Sequence, residues 1–208
     1  MSPPTLLGLV LDCVDQGNVM SAETSGAGQH FCLYSASELE AVLDDMARQA
    51  NALLAPDTAL ALIGILRRGE PLARMLQSRL TILRGDAGIP LYPLKVKRYA
   101  DNLELLHADT ALEENPALAG LDLKNTTLLV VDDVLYQGHS LLRTCAWLAR
   151  IGAQEVRTAV LVDRCVSTQP VHADITGIRL QVAASDVIEC NVPPYEADFR
   201  VDVWRRHN

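Results

Sequence analysis

Short, continuous apolar runs alternate along the chain with stretches whose apolar residues return every three or four positions. The first pattern suits strands buried on both faces and the second suits amphipathic helices. Their alternation predicts an α/β fold with a doubly wound, mostly parallel sheet. "HFCLY" reads as a short strand. In "SASELEAVLDDMARQANALL" the positions Leu39, Val42, Leu43, Met46, Ala50 and Leu53 share one helical face, and Ser37 with Glu40 has capping-box spacing. "ALALIGIL" is a buried strand that runs into "RRGEP", and Pro71 suits the first turn of the helix "PLARMLQSRL". "IPLYPLKV" is a further strand in which Pro93 favours a sheet edge. "TTLLVV" is the next strand, followed by the helix "SLLRTCAWLARIGA", with Gly152 as its stop. "VRTAVLV" is another strand, ending at Asp163 and Arg164, and the tail from Ile175 reads as shorter strands and loops forming a small C-terminal extension.

Two stretches lack this periodicity. "SAETSGAGQH" (Ser21–His30) is small and polar, so residues 1–30 read as an N-terminal extension with a flexible loop, and 31–208 as a single domain. Lys97–Leu121 is a long polar connection containing Asn115-Pro116; such a segment is a lid over a functional site or a disordered stretch, and the lid is the favoured reading.

Composition narrows the function classes. The net charge of −8 and the lack of any Lys/Arg run argue against a general nucleic-acid or membrane-surface binder. No apolar run approaches the roughly 20 residues that span a bilayer, and the start "MSPPTLLGLVLDCVDQ" lacks a basic leader, so a cytoplasmic protein with no membrane partner is expected. The five cysteines show no metal-ligand spacing. Cys32, Cys145 and Cys165 sit among apolar neighbours and are expected to be reduced. His30, His107, His172 and His207 also show no metal spacing and read as surface or loop residues.

In a doubly wound sheet, ligands bind beyond the carboxyl ends of the strands. Three such ends are polar here: "GILRRG", "VLVDR" and "LLVVDDVLYQGHS". In the last, a glycine-containing turn enters a helix, whose first N–H groups and positive dipole end suit a phosphate monoester. Asp132 and Asp133 would repel that phosphate but could accept hydrogen bonds from nearby hydroxyls. A ribose 5′-phosphate supplies both groups. Turn and capping residues on an ordinary strand–helix junction would look the same. Neither a Walker loop nor a G-x-G-x-x-G fingerprint is present. The lone Asp and Lys of a phospho-acceptor receiver domain are missing as well.

"LLVVDDVLYQGHS" resembles the phosphoribosyl pyrophosphate (PRPP) motif of the type I phosphoribosyltransferases. The nearest pattern is that of the pyrimidine attenuation regulator and uracil phosphoribosyltransferase group. "GILRRGEPLA", "AVLVDR" and the helix "SELEAVLDDMARQ" are similar to segments of that group in the same order, so the resemblance covers roughly Phe31 to Gly177. It implies that Asp132 and Asp133 hold the ribose hydroxyls, and contact the metal only indirectly, through PRPP-bound Mg²⁺. Leu135, Tyr136, Gln137, Gly138, His139 and Ser140 would wrap the 5′-phosphate. Arg67, Arg68 and Gly69 would receive the pyrophosphate, while Asp163 and Arg164 would lie near the base. By itself Arg164 would read as a surface ion-pair residue. Asp101 would act from the lid as a catalytic residue, beside Asp132 and Asp133.

The reaction implied is transfer of the phosphoribosyl group from PRPP to a base nitrogen, of uracil or hypoxanthine/guanine type, with Mg²⁺ as cofactor. The resemblance also implies a homo-oligomer.

The sequence departs from the group's pattern at His139 (Arg in the group), at "RYADN" in the lid (Y-R-D-D), and at "CVSTQPV" after "VLVDR". These departures keep a second reading open, a non-catalytic PRPP or nucleotide sensor on the same fold. RNA, which needs a basic face, is the weaker partner.

Overall fold

The computed structural model describes residues 28–55, 58–86, 88–96 and 116–206. Its larger sheet is parallel and contains β2 (Ala59–Ile65), β3 (Leu91–Leu94), β4 (Thr126–Leu135), β5 (Glu155–Asp163) and β6 (Ile175–Arg179). The strand order is β3-β2-β4-β5-β6. Helices α1 (Ala36–Leu53) and α2 (Gly69–Arg84) cover one face, and α3 (His139–Arg150) covers the other. Central β4 shows why an apolar run without alternation makes such a strand. Leu129 and Val131 pack into the cluster under α1 and α2, while Leu128 and Val130 pack into the cluster under α3. Pro93 lies on edge strand β3, where its missing N–H costs no interior ladder bond.

The strand order reverses between β2 and β4. From β2 the chain moves outward to β3, and from β4 it moves the other way through β5 to β6. The crevice beyond the carboxyl ends of β2 and β4 is therefore the topological switch point, where such sheets bind ligands.

A second, antiparallel sheet has the order β1-β8-β7, with β1 Gly28–Tyr34, β7 Val187–Asn191 and β8 Arg200–Arg206. Of the short strands expected in the tail, β7 and β8 thus pair with the first strand in this sheet, while β6 joins the larger one. Val201, Val203, Ile188 and Cys190 carry it into the same core as α1 and α2.

Other expectations are corrected. Gly28–His30 belong to β1, so the loop expected to end at His30 gives way to strand at Gly28; Ser21–Ala27 lie outside the described residues. The capping box is Ser35 with Glu38, two residues before the expected pair. The Glu38 carboxylate accepts the Ser35 N–H at 2.8 Å and its hydroxyl at 2.7 Å, whereas Glu40 bonds Arg79 of α2. Leu53 is exposed. Cys32 and Cys165 are exposed despite apolar neighbours in sequence, because one lies on an edge strand and the other in a loop; among the described cysteines Cys190 is the buried one. β4 runs four residues beyond Val131, carrying both aspartates within the strand. Of the expected lid, 97–115 lie outside the described residues, and Pro116–Gly120 form a 3₁₀ turn. No helix among the described residues is long and apolar enough to cross a membrane.

Candidate active site at the switch point

Asp132 and Asp133 occupy the last turn of pleat in β4, at 4% and 5% exposure. Strand alternation sends them to opposite faces, so they flank the strand end instead of presenting one acidic surface. Asp133 continues the row of Leu129 and Val131 and reaches the arginine loop. Asp132 continues the row of Leu128 and Val130, and its Oδ1 accepts the Asp133 N–H at 2.9 Å.

The loop after β2 holds Arg67, Arg68 and Gly69. A Cβ on Gly69 would collide with the Val131 carbonyl oxygen, so glycine lets the start of α2 lie against β4 just before the aspartates. The Leu66–Arg67 peptide is cis. Arg67 is exposed, its guanidinium 5.1 Å from the centre of the Tyr195 ring. Arg68 is half-buried. Its Nε and Nη2 donate to Glu196 Oε1 at 3.1 and 2.6 Å, and its Nη1 lies 3.9 Å from Asp133 Oδ2. This bonding pushes the Arg68 pKa up and holds the Glu196 carboxyl below its ordinary range.

After β4, Tyr136–Gly138 turn into α3. Gly138 has φ 89°, and a Cβ there would sit 2.6 Å from both Ser167 Oγ and Val171 Cγ1. The Gln137 carbonyl is turned toward the next loop, accepting the N–H groups of Thr168 and Gln169 at 3.2 Å each and the Ser167 hydroxyl at 3.2 Å. "CVSTQPV", read from sequence only as a departure from pattern, is thus the support of the phosphate-type turn. The first-turn N–H groups of α3 lack intrahelical acceptors, and the helix dipole adds its positive end there. His139 and Ser140 are half-buried at this start.

At the end of β5, the Asp163 carboxylate accepts the Cys165 N–H at 2.8 Å. Arg164 is not the surface ion-pair residue its type suggests. It is 5% exposed, with Nη2 donating to the carbonyls of Asp186 (3.0 Å) and Ala183 (3.3 Å). Its guanidinium lies 4.5 Å from the centre of the Tyr136 ring. Its N–H donates to the Leu135 carbonyl at 3.0 Å, tying this strand end to the one that bears the aspartates.

The switch point therefore gathers Arg68, Asp133 and the turn into α3, with Arg164 stacked on that turn's Tyr136. Asp101 lies outside the described residues. Sequence reasoning missed Tyr195 and Glu196, which reach the arginine loop from the segment between β7 and β8. "PPYEADF" has no motif that marks them. Among the described residues no group of three His, Cys, Asp or Glu is placed to hold a metal. The donor set, two carboxylates flanking a strand end, suits hydroxyl groups or water bound to a metal that arrives with its ligand.

A cavity of about 420 Å³ lies at the opposite, amino end of the strands, lined by Thr58, Lys124, Thr126, Glu155 and Arg157 among others. It is remote from this chemistry, and Arg157 is already held by Glu155 and Asp174.

Residues 33–198 match the family model described as "Phosphoribosyl transferase domain". Among curated proteins, the chain is 30% identical over 158 residues to "Bifunctional protein PyrR" of Microcystis aeruginosa, covering 76% of this chain and 87% of the relative. It is 34% identical over 146 residues to the protein of that name from Deinococcus deserti, covering 70% and 78%. Among solved structures, hypoxanthine phosphoribosyltransferase from Trypanosoma cruzi, in complex with the product IMP, aligns with a TM-score of 0.60 at 16% identity, covering 84% of this chain and 89% of that one. The Staphylococcus aureus hypoxanthine phosphoribosyltransferase aligns with a TM-score of 0.59 at 16% identity, covering 76% and 80%. At such identity these two structures establish the shared fold.

Proposed function

The chain belongs to the phosphoribosyl transferase domain family, and from that premise we propose that it transfers the phosphoribosyl group of Mg²⁺-bound PRPP to a nucleobase nitrogen. The products are pyrophosphate and a nucleoside 5′-monophosphate. The observation that carries this reading is the meeting, at one switch point, of a cation, a carboxylate pair and a helix start. These suit the three polar parts of one substrate.

In this proposal the 5′-phosphate binds the N–H groups at the start of α3, within the turn Leu135–Ser140. Asp132 and Asp133 accept the ribose hydroxyls, each bond contributing roughly 1.5–3 kcal/mol. Arg67, Arg68 and Gly69 receive the diphosphate. Mg²⁺, carried in on the diphosphate, would supply charge neutralisation of the leaving group. The base nitrogen forms its bond to ribose C1 as the C1–O bond to pyrophosphate breaks, and the nitrogen's proton passes to water. The protein's contribution is orientation and charge placement; no covalent nucleophile is required. Asp101 would act from the lid segment. Arg164 and Asp163 would flank the base. Arg164 Nε is buried without a hydrogen-bond partner among the described residues and can only donate, which favours a base with a carbonyl oxygen, such as uracil, hypoxanthine or guanine. A homo-oligomer in the cytoplasm belongs to the same proposal on family grounds.

The test is calorimetric titration with Mg-PRPP, followed by assay of pyrophosphate release with a panel of bases. The wild type is expected to bind, and Asp132→Asn/Asp133→Asn to lose at least roughly tenfold in affinity. Absence of binding by the wild type would sink the proposal. A second reading, a PRPP sensor without turnover, is favoured by Ala100 in "RYADN", where the resembling group carries Arg in Y-R-D-D, and by "CVSTQP" after "VLVDR". It predicts binding but no pyrophosphate with any base.

A further inference from the structure

The loop after β2 carries two neighbouring arginines, and one turn between β7 and β8 meets them in different ways. Glu196 takes the Nε/Nη2 edge of Arg68 at 3.1 and 2.6 Å, so that cation is already matched by a carboxylate. Arg67 is exposed, and among the described residues its guanidinium forms no ion pair and no hydrogen bond. Its charge reaches Glu196, but the Glu196 carboxylate spends its bonds on Arg68 and on the Val192 N–H. What Arg67 does meet is the ring of Tyr195. The ring centre lies 5.1 Å from its Cζ, inside the roughly 6 Å over which a ring face attracts a cation.

A carboxylate would hold this guanidinium by occupying its N–H donors and offsetting its charge. A ring face holds it and leaves both available. An arginine with neither partner would sample many rotamers, and gripping a ligand would cost the entropy of ordering it. The turn that carries the ring is itself fixed. The N–H groups of Tyr195 and Glu196 donate to the Val192 carbonyl at 3.1 and 3.3 Å, and Glu196 Oε2 accepts the Val192 N–H at 3.0 Å. Val192 is fully buried, so the turn is anchored in the core.

We propose that Tyr195 is a positioning residue for Arg67: its ring orders the guanidinium ahead of binding while leaving the charge and the donors open to an incoming diphosphate. The two arginines then contribute differently. Arg67 supplies the unmatched charge, and Arg68 also ties the loop to the turn between β7 and β8. The inference rests on the PRPP reading above and adds a residue that no motif marks.

The experiment is calorimetric titration of Mg-PRPP, and separately of ribose 5-phosphate, into wild type, Tyr195→Phe, Tyr195→Leu, Arg67→Ala and the Arg67→Ala/Tyr195→Leu double variant. Each is checked for folding by thermal unfolding. Tyr195→Leu keeps apolar bulk without a ring face, and is expected to weaken Mg-PRPP binding roughly two- to fivefold, the scale of an exposed cation–π contact. Tyr195→Phe keeps the ring and should stay near wild type. Ribose 5-phosphate has no diphosphate, so Tyr195→Leu should lose none of that affinity. In the Arg67→Ala background, removing the ring should change nothing further. A merely structural role for Tyr195 would lower ribose 5-phosphate binding as well and would persist without Arg67; either result overturns the inference. So does a Tyr195→Phe variant as weak as Tyr195→Leu, which would assign the effect to the hydroxyl. If Tyr195→Leu binds Mg-PRPP as tightly as wild type, the inference fails alone and the PRPP reading stands. If Tyr195→Leu does not fold, Tyr195→Met carries the same comparison in both backgrounds. A wild type that does not bind Mg-PRPP overturns the PRPP reading and this inference together.

Discussion

Cys190 is buried on β7, its thiol 4.0 Å from the Asp133 carbonyl oxygen. Burial pushes its pKa well above the ordinary value of about 9, and the Asp133 charge raises it further, against an opposing effect of Arg68. In the unfolded chain the thiol ionises near its ordinary value, while in the fold it stays protonated. Its contribution to stability is therefore complete below pH 9 and is lost as pH rises from there toward the folded-state pKa. Urea unfolding of wild type should lose up to about 1.4 kcal/mol more per pH unit above pH 9 than Cys190→Ala does. Parallel pH curves would refute it. Cys190 and Glu196 share the reason they were illegible from sequence. Each is ordinary by type, and its chemistry comes from a partner more than fifty residues away. The placement of Asp132, Asp133 and Arg68 at strand ends was legible because each lies in a local motif next to an apolar run.

At the scale of elements, glycine separates the two ends of α3. Both Gly138 and Gly152 have positive φ, but a Cβ on Gly138 meets Ser167 and Val171, whereas one on Gly152 meets nothing within 4 Å. Gly138→Ala should destabilise the protein by about 1–3 kcal/mol and weaken binding of ribose 5-phosphate. Gly152→Ala should show only the conformational cost and leave that binding intact. Denaturant unfolding and calorimetry on the two variants check this, and equal binding losses would count against a phosphate turn at Gly138. The same scale shows where periodicity suffices. α1, α2 and α3 were readable because one buried face imposes a helical spacing, and β2, β4 and β5 because burial on both faces leaves an unbroken apolar run. The α1 cap was misplaced because Ser35/Glu38 and Ser37/Glu40 both satisfy the same spacing. The three-dimensional neighbour Arg79, which engages Glu40, is invisible locally.

For the whole molecule, the two sheets differ in how they are buried. β4 is buried along nearly its full length, while β1 is an edge strand with Phe31, Cys32 and Leu33 exposed. Amide hydrogen exchange should be slowest in β4 and fastest among the strands in β1. Equal protection of the two would mean that the small sheet opens only with the large one. The small sheet was the least legible part of the fold. Its strands are short, and its order β1-β8-β7 joins segments from opposite ends of the described chain, which no local pattern encodes.

That pairing bears on how the protein is made. Gly28 is registered against Arg206 and Phe31 against Val203, so among the described strands β1 finds its ladder partner only once β8 has left the ribosome. The parallel sheet, whose last strand ends at Arg179, has all its segments earlier. During synthesis β1 therefore waits as an unpaired edge with apolar side chains, the kind of surface that chaperones cover and that aggregates form on. Interruption of translation shortly before Arg200 would leave a nascent chain with a complete parallel sheet and an open, sticky flank.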